Sequence, residues 1–200
     1  MPSPYHRFWF SPGFGLRHSQ KEVNTTSLML QFDPSSRMNT SSANVSLSSG
    51  GATISLGPQK SNPCFRFNYY GSHLKCVSNG TECVFNITGL RYNYNSSQED
   101  VSISQTLRVP ACSREPENCY PPPVKLHGFK HLTSIDISMA AEDEGRPWWM
   151  GDISLGWSDD TCEAATCRST VPDLIQKRDQ DVAGRNRTFR KRALGFYSNW

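Results

Sequence analysis

The chain has 200 residues, a formal net charge of +3 and 36% hydrophobic residues, which suits one domain and would starve two of a core. Residues 1–63 carry five Lys/Arg against two acids, 64–170 nine against thirteen, and 171–200 seven against three. The body is thus mildly acidic with the positive excess in a tail, which excludes the basic face of a nucleic-acid binder; no apolar run is long enough for a membrane-spanning helix.

In chain order, MPSPYHRFWF lacks the basic and apolar regions of a secretory leader, so the true start is expected upstream of Met1. Residues 5–16, YHRFWFSPGFGL, read as an opening strand ended by a Ser-Pro-Gly turn. Residues 34–63 are rich in Ser, Thr, Asn and Gly and read as a loop. From residue 65 a two-residue period sets in: Phe65, Phe67 and Tyr69 alternate with Arg66, Asn68 and Tyr70. Asn79-Gly80 favours a tight hairpin turn. Over 83–88, Cys83, Phe85 and Ile87 take one face and Asn86 the other. Val101, Ile103, Leu107 and Val109 alternate with Ser102, Ser104, Thr106 and Arg108 until Pro110. Ile135, Ile137 and Met139 alternate with Ser134, Asp136 and Ser138. Counting back by twos from Trp157 puts Leu155, Ile153 and Trp149 on one apolar face, leaving Trp148, Met150 and Asp152 on the other. No segment holds a helical period over ten residues. Short strands separated by turns imply an all-β, jelly-roll-like β-sandwich, spanning 4–170 as a single domain. Residues 171–200, with Lys177-Arg178 and Arg190-Lys191-Arg192, read as a basic, disordered tail.

Two independent signals point to the secretory pathway. Seven cysteines stand at 64, 76, 83, 112, 119, 162 and 167, with none of the spacings of a zinc site. The local pairs Cys76–Cys83, Cys112–Cys119 and Cys162–Cys167 are the expected disulfides, which leaves Cys64 free, paired between molecules or paired beyond this chain. Seven of twelve asparagines lie in Asn-x-Ser/Thr, namely Asn24, Asn39, Asn44, Asn79, Asn86, Asn95 and Asn186. Chance at this Ser/Thr content yields about two, so these positions are expected to be N-glycosylated and the chain secreted, extracellular or in a cell wall.

An ordered set of stretches carries a resemblance: Pro4-Tyr5-His6 with Phe10-Ser11, FRFNYYGSHLKC (65–76), ECVFNITGLRYN (82–93), VPACSREPENC (109–119), FKHLTSIDI (129–137) and PWWMGDISLGWSDDTCEAATCR (147–168). Together they resemble a family of fungal secreted domains of unknown function found at the end of Ser/Thr-rich extracellular chains. The resemblance implies secretion and a sandwich like that of carbohydrate-binding modules, with the opening aromatic segment inside the domain. It implies no reaction. Gly151-Asp152 stand where that family has a pair of aspartates.

The chain contains none of the H-E-x-x-H, G-x-S-x-G, G-x-G-x-x-G or P-loop motifs. Glu142-Asp143-Glu144 reads as a solvated loop, not a glycosidase pair held across a cleft. Asp152, Asp159 and Asp160 are too few for the six to eight oxygens of calcium and read as turn residues capping 158–161. No catalytic residue, metal or cofactor is expected. The ligand residues expected are Trp148, partly exposed at the sheet rim beside Asp152, with Tyr70 or Tyr94, forming a platform on which sugar rings stack. The expected function is a non-catalytic extracellular binding or adhesion module for polysaccharide or glycoprotein glycans. The alternative is a structural secreted or cell-wall protein with no specific small ligand.

Overall fold

The computed structural model describes residues 7–18, 28–35, 51–78, 80–112, 119, 122–140 and 145–171. The strands among them are β1 (Trp9–Phe10), β2 (Phe14–His18), β3 (Leu28–Phe32), β4 (Ala52–Ser55), β5 (Phe67–Cys76), β6 (Glu82–Asn93), β7 (Gln98–Pro110), β8 (Val124–Lys125), β9 (Ser134–Met139) and β10 (Trp148–Trp157), followed by helix α1 (Cys162–Thr170). They build two five-stranded sheets ordered β1-β4-β9-β6-β7 and β2-β3-β10-β5-β8, antiparallel at each pairing. From β3 onward the pairs β3·β10, β4·β9, β5·β8 and β6·β7 are the rungs of one long hairpin, with successive rungs alternating between sheets. That is the jelly roll the sequence implies, with β1 and β2 added at one edge of each sheet.

Alternation drives the core. Ile54, Phe85, Ile87, Ile135 and Ile137 of one sheet meet Phe32, Phe67, Tyr69, Leu74, Trp148 and Met150 of the other, each at most 1% exposed. Cys83, Phe85 and Ile87 point inward and Asn86 lies half-buried on the outer face, where it accepts a hydrogen bond from Thr106 Oγ1 at 2.8 Å. The opening aromatic segment is part of this domain. Phe8 stacks on Trp157 at 5.6 Å between ring centroids and meets Phe67 edge-on at 5.2 Å.

Several expectations are corrected. The 34–63 loop is interrupted, since β4 and a 3-10 turn at Gly57–Ser61 occupy its second half; Ala52, Ile54 and Leu56 are the buried side chains that make β4 worth pairing. Residues 36–50 lie outside the described residues, as do Glu142-Asp143-Glu144, the tail beyond Val171, and the sequons at Asn24, Asn39, Asn44, Asn79 and Asn186. The chain around Asn79-Gly80 does not close a hairpin, because β5 and β6 belong to opposite sheets. The Cys76–Cys83 bridge, Cα–Cα 6.5 Å, therefore staples the two layers together.

The Cys162–Cys167 pairing is replaced by Cys64–Cys167, Cα–Cα 6.2 Å, while Cys162 is an exposed free thiol; Cys112–Cys119 is the third bridge. The physical reason is that 162–170 is a helix. Five residues on a helix lie about 140° apart around the axis, so Cys162 turns to solvent when Cys167 faces Cys64. Thr161 caps this helix, its Oγ1 accepting from Ala164 N at 3.3 Å, and Asp159 Oδ1 accepts from Thr161 N at 2.9 Å. Hydrogen bonds from the Thr161 backbone N–H and, to a lesser degree, its side chain hold the Asp159 carboxyl below its usual pKa, in the turn role its position suggests. Arg168 is only 7% exposed; its guanidinium lies 4.8 Å from the Trp157 ring centroid and donates to Cys64 O at 3.1 Å and Asp159 O at 2.8 Å. Disulfide, cation–π contact and hydrogen bonds together clamp α1 over the end of the sandwich.

Finally, Trp148 is not at the surface. It is 1% exposed, packed among Phe14, Phe32 and Phe85 with centroids 5.3–6.0 Å away. Yet Ile153, Leu155 and Trp157 also pack on the core, so both halves of β10 face inward. Pairing with β5 explains this. Gly151 opposes His73 while Ser154 opposes Gly71, and Leu155 then opposes Tyr69. Each strand carries an extra residue here, and each bulge inverts the parity of the alternation on its own strand. Trp149 is consequently outward and Trp148 inward.

Candidate functional site

The paired bulges do more than invert parity. They turn Tyr70 of β5 and Asp152 of β10 outward at the same place, where β8 pairs with β5 through Gly71↔Lys125 and Ser72↔Val124. Asp152 takes φ +46°, a left-handed conformation sparsely used by non-glycine residues. Gly71 sits at φ +139°, and a Cβ there would lie 1.9 Å from the Val124 carbonyl oxygen. Only glycine lets β8 approach this closely.

A groove of about 450 Å³ opens at this junction, with Tyr70, His73, Lys125, His127, Asp152 and Ser154 among its walls. Tyr70 is 48% exposed and its ring rests on Gly156, where an added Cβ would touch Tyr70 ring atoms at 3.2–3.7 Å. The phenol oxygen accepts from Asn68 Nδ2 at 3.2 Å. Asn68 is itself oriented, its Oδ1 accepting from Ser158 Oγ at 2.7 Å and His131 N at 3.1 Å. The ring is thus held in place before any ligand arrives. Across the groove His73 Nε2 stands 3.6 Å from Asp152 Oδ2, whose side chain is 81% exposed. Leu126 N donates to Tyr70 O at 2.9 Å, fixing the β8 side. Beneath this surface the phenol of Tyr69 pairs with Ser72 Oγ at 2.7 Å; burial pushes Tyr69 up to about 12, against a smaller lowering from Ser72.

The arrangement offers one aromatic face, a carboxylate, two imidazoles, an ammonium and a hydroxyl around an open trough. That suits a hydroxyl-rich ligand held by stacking and hydrogen bonds. Among the described residues no group of three His, Cys, Asp or Glu side chains is placed to hold a metal ion.

Of the four ligand residues expected from sequence, Tyr70 and Asp152 come together here. Trp148 is core. Tyr94 lines a separate groove at the turn between β6 and β7, where Arg66 Nη2 donates to Tyr94 Oη at 2.6 Å. His73, Lys125, His127 and Ser154 were not foreseen. The one sequence signal for them was Gly71 inside an otherwise regular strand, which marks a bulge or a close approach of backbone.

Fold and groove together define a jelly-roll β-sandwich with a solvent-open trough across a bulged pair of strands. The family model described as "Domain of unknown function (DUF7371)" matches residues 1–168, and the chain belongs to that family. No curated protein matches the chain. Among solved structures it is similar to the CBM22-1–GH10 modules of the N-terminal endo-1,4-beta-D-xylanase 10B of Clostridium thermocellum, complexed with xylohexaose. The identity there is 12%, the TM-score 0.39, and the match covers 77% of this chain but only 25% of that one. It is also similar to the CBM22-1 xylan-binding domain of a Paenibacillus barcinonensis xylanase, with 11% identity, TM-score 0.38 and 77% and 87% of the two chains covered. A third is the C-terminal family 22 carbohydrate binding module of the Clostridium xylanase, with 11% identity, TM-score 0.37 and 80% and 92% covered. At these scores the likeness carries nothing about this chain's ligand.

Proposed function

We propose that the chain is a non-catalytic, extracellular glycan-binding module whose site is the β5–β8 groove. The observation that carries this is Tyr70: a half-exposed ring, fixed over Gly156 and by Asn68, facing His73 and Asp152 across a trough. A large ring immobilised at the surface gains nothing for the core, and it presents the flat, pre-oriented face on which a sugar ring stacks. Asp152, His73 and Ser154 then offer acceptors and donors to the sugar hydroxyls. Three disulfides support an oxidising compartment, and polysaccharides or glycoprotein glycans are the ligand class that fits. A glycan array probed with the secreted, deglycosylated protein should yield binders. Against the best of them Tyr70→Ala should weaken affinity at least tenfold, about 1.4 kcal/mol, while Tyr94→Ala leaves it intact. Binding indifferent to both Tyr70→Ala and Asp152→Ala would remove the groove from the account and favour the structural reading.

A further inference from the structure

Three large apolar side chains are exposed among the described residues: Tyr70, Tyr94 at 55% and Val101 at 66%. Tyr70 belongs to the groove above. The other two line one surface groove of about 550 Å³ at the turn from β6 to β7, and Asn95 stands in the same wall. Asn95 opens the sequon Asn95-Ser96-Ser97.

The turn is built to present that asparagine. Asn95 N donates to Asn93 Oδ1 at 2.9 Å, and Asn93 Nδ2 donates to Asp100 Oδ2 at 2.7 Å, so the side chains of Asn93 and Asp100 close the turn and leave the Asn95 amide exposed. Asn86, by contrast, is half-buried in mid-strand with its Oδ1 engaged by Thr106. Tyr94 is fixed by Arg66, whose guanidinium lies 5.7 Å from its ring centroid, and by Tyr92, edge-on at 5.3 Å. Val101 faces out because Gly89 opposes Ile103 while the next residue, Leu90, opposes Val101, a bulge that leaves Ser102 over and turns an apolar residue to solvent.

We infer that Asn95 is N-glycosylated and that the first sugars of its glycan fold back into this groove, covering Tyr94 and Val101. The donor is a polyprenyl-diphosphate-linked oligosaccharide of the secretory lumen. A bond forms between Asn95 Nδ2 and the sugar C1, the bond from C1 to the diphosphate oxygen breaks, Nδ2 loses a proton and the lipid diphosphate leaves, with no change of oxidation state. The C–H face and acetamido methyl of N-acetylglucosamine then meet the ring and the valine, removing from water two apolar groups that the fold alone leaves wet. This rests on the secretory part of the proposed function and is independent of the Tyr70 groove.

The test is glycopeptide mapping of the chain secreted by a eukaryotic host, with melting curves of Asn95→Gln in the Tyr94 and Tyr94→Ala backgrounds. Asn95 should be occupied. Asn95→Gln should lower Tm by about 3 °C with Tyr94 present and by less than half as much without it. Trimming the glycan to a single N-acetylglucosamine should keep most of the gain. Equal losses in both backgrounds would overturn the folding-back. Asn95 bare while Asn86 is occupied would overturn the site and leave secretion standing, and a chain bare at every sequon would overturn both.

Discussion

Replacing Cys64 and Cys167 by Ala should destabilise the domain more than any other disulfide removal. The bridge spans 103 residues of sequence and Cys112–Cys119 only 7. Closing a loop of that size in the unfolded chain is worth about 4.7 kcal/mol, against about 2.4 kcal/mol for the short loop. The two short bridges are nested within the long one, but bypassing a dozen residues changes its contribution by only about 0.1 kcal/mol. For a domain of this size the loss corresponds to a Tm drop of roughly 9–19 °C. The assay is urea denaturation under non-reducing conditions in a Cys162→Ala background, which prevents thiol exchange. The midpoint should fall, and m should rise because the unfolded chain is freer to expand. Cys162→Ala alone should stay within about 0.5 kcal/mol of the parent, as for an exposed residue without a structural role. Cys162→Ala as damaging as the loss of Cys64, or a Cys64/Cys167 variant within 1 kcal/mol of the parent, would refute the reasoning.

Gly71→Ala should cost about 3 kcal/mol or more, since the new methyl meets the Val124 carbonyl in a backbone conformation other residues resist; circular-dichroism melts check the loss, and an unchanged Tm would mean that β8 does not press on β5. Stability should also fall as pH rises from about 10 toward 12. Unfolded tyrosine releases its proton near pH 10, while buried Tyr69 keeps it to about 12, so the unfolded state binds fewer protons in that window and gains on the folded one. Urea midpoints at pH 9 and 11 measure the slope. Tyr69→Phe should flatten it, at the expense of leaving the buried Ser72 hydroxyl without its partner.

Period-two alternation was enough to place β6 with Asn86 outward, and β9, because neither strand's core-facing run is broken. It failed where a bulge intervenes. In β10 the count from Trp157 is right as far as Ile153 and wrong beyond it, and in β7 Val101 loses step with Ile103 for the same reason. A bulge adds one residue without altering the residue types, so period alone does not reveal it. The site lies at such a failure, which is why simple alternation puts Trp148 at the surface. Asn79-Gly80 signals a turn in the sequence, but whether the next strand pairs beside the last or crosses to the other sheet depends on long-range pairing. Helix α1 was missed because Ala164 and Arg168, its buried pair, make no apolar stripe; the Thr161 cap before Glu163 was the available sign.

The claim that β5, β8 and β10 form the binding surface is tested most directly by titrating the isotope-labelled domain with its best array glycan and following backbone amide shifts. Perturbations should centre on Tyr70, Gly71, His73, Lys125, Asp152 and Ser154, and Tyr70→Ala should move their titration midpoint at least tenfold higher. Shifts centred instead on Tyr94 and Val101, or none at saturating ligand, would contradict that claim.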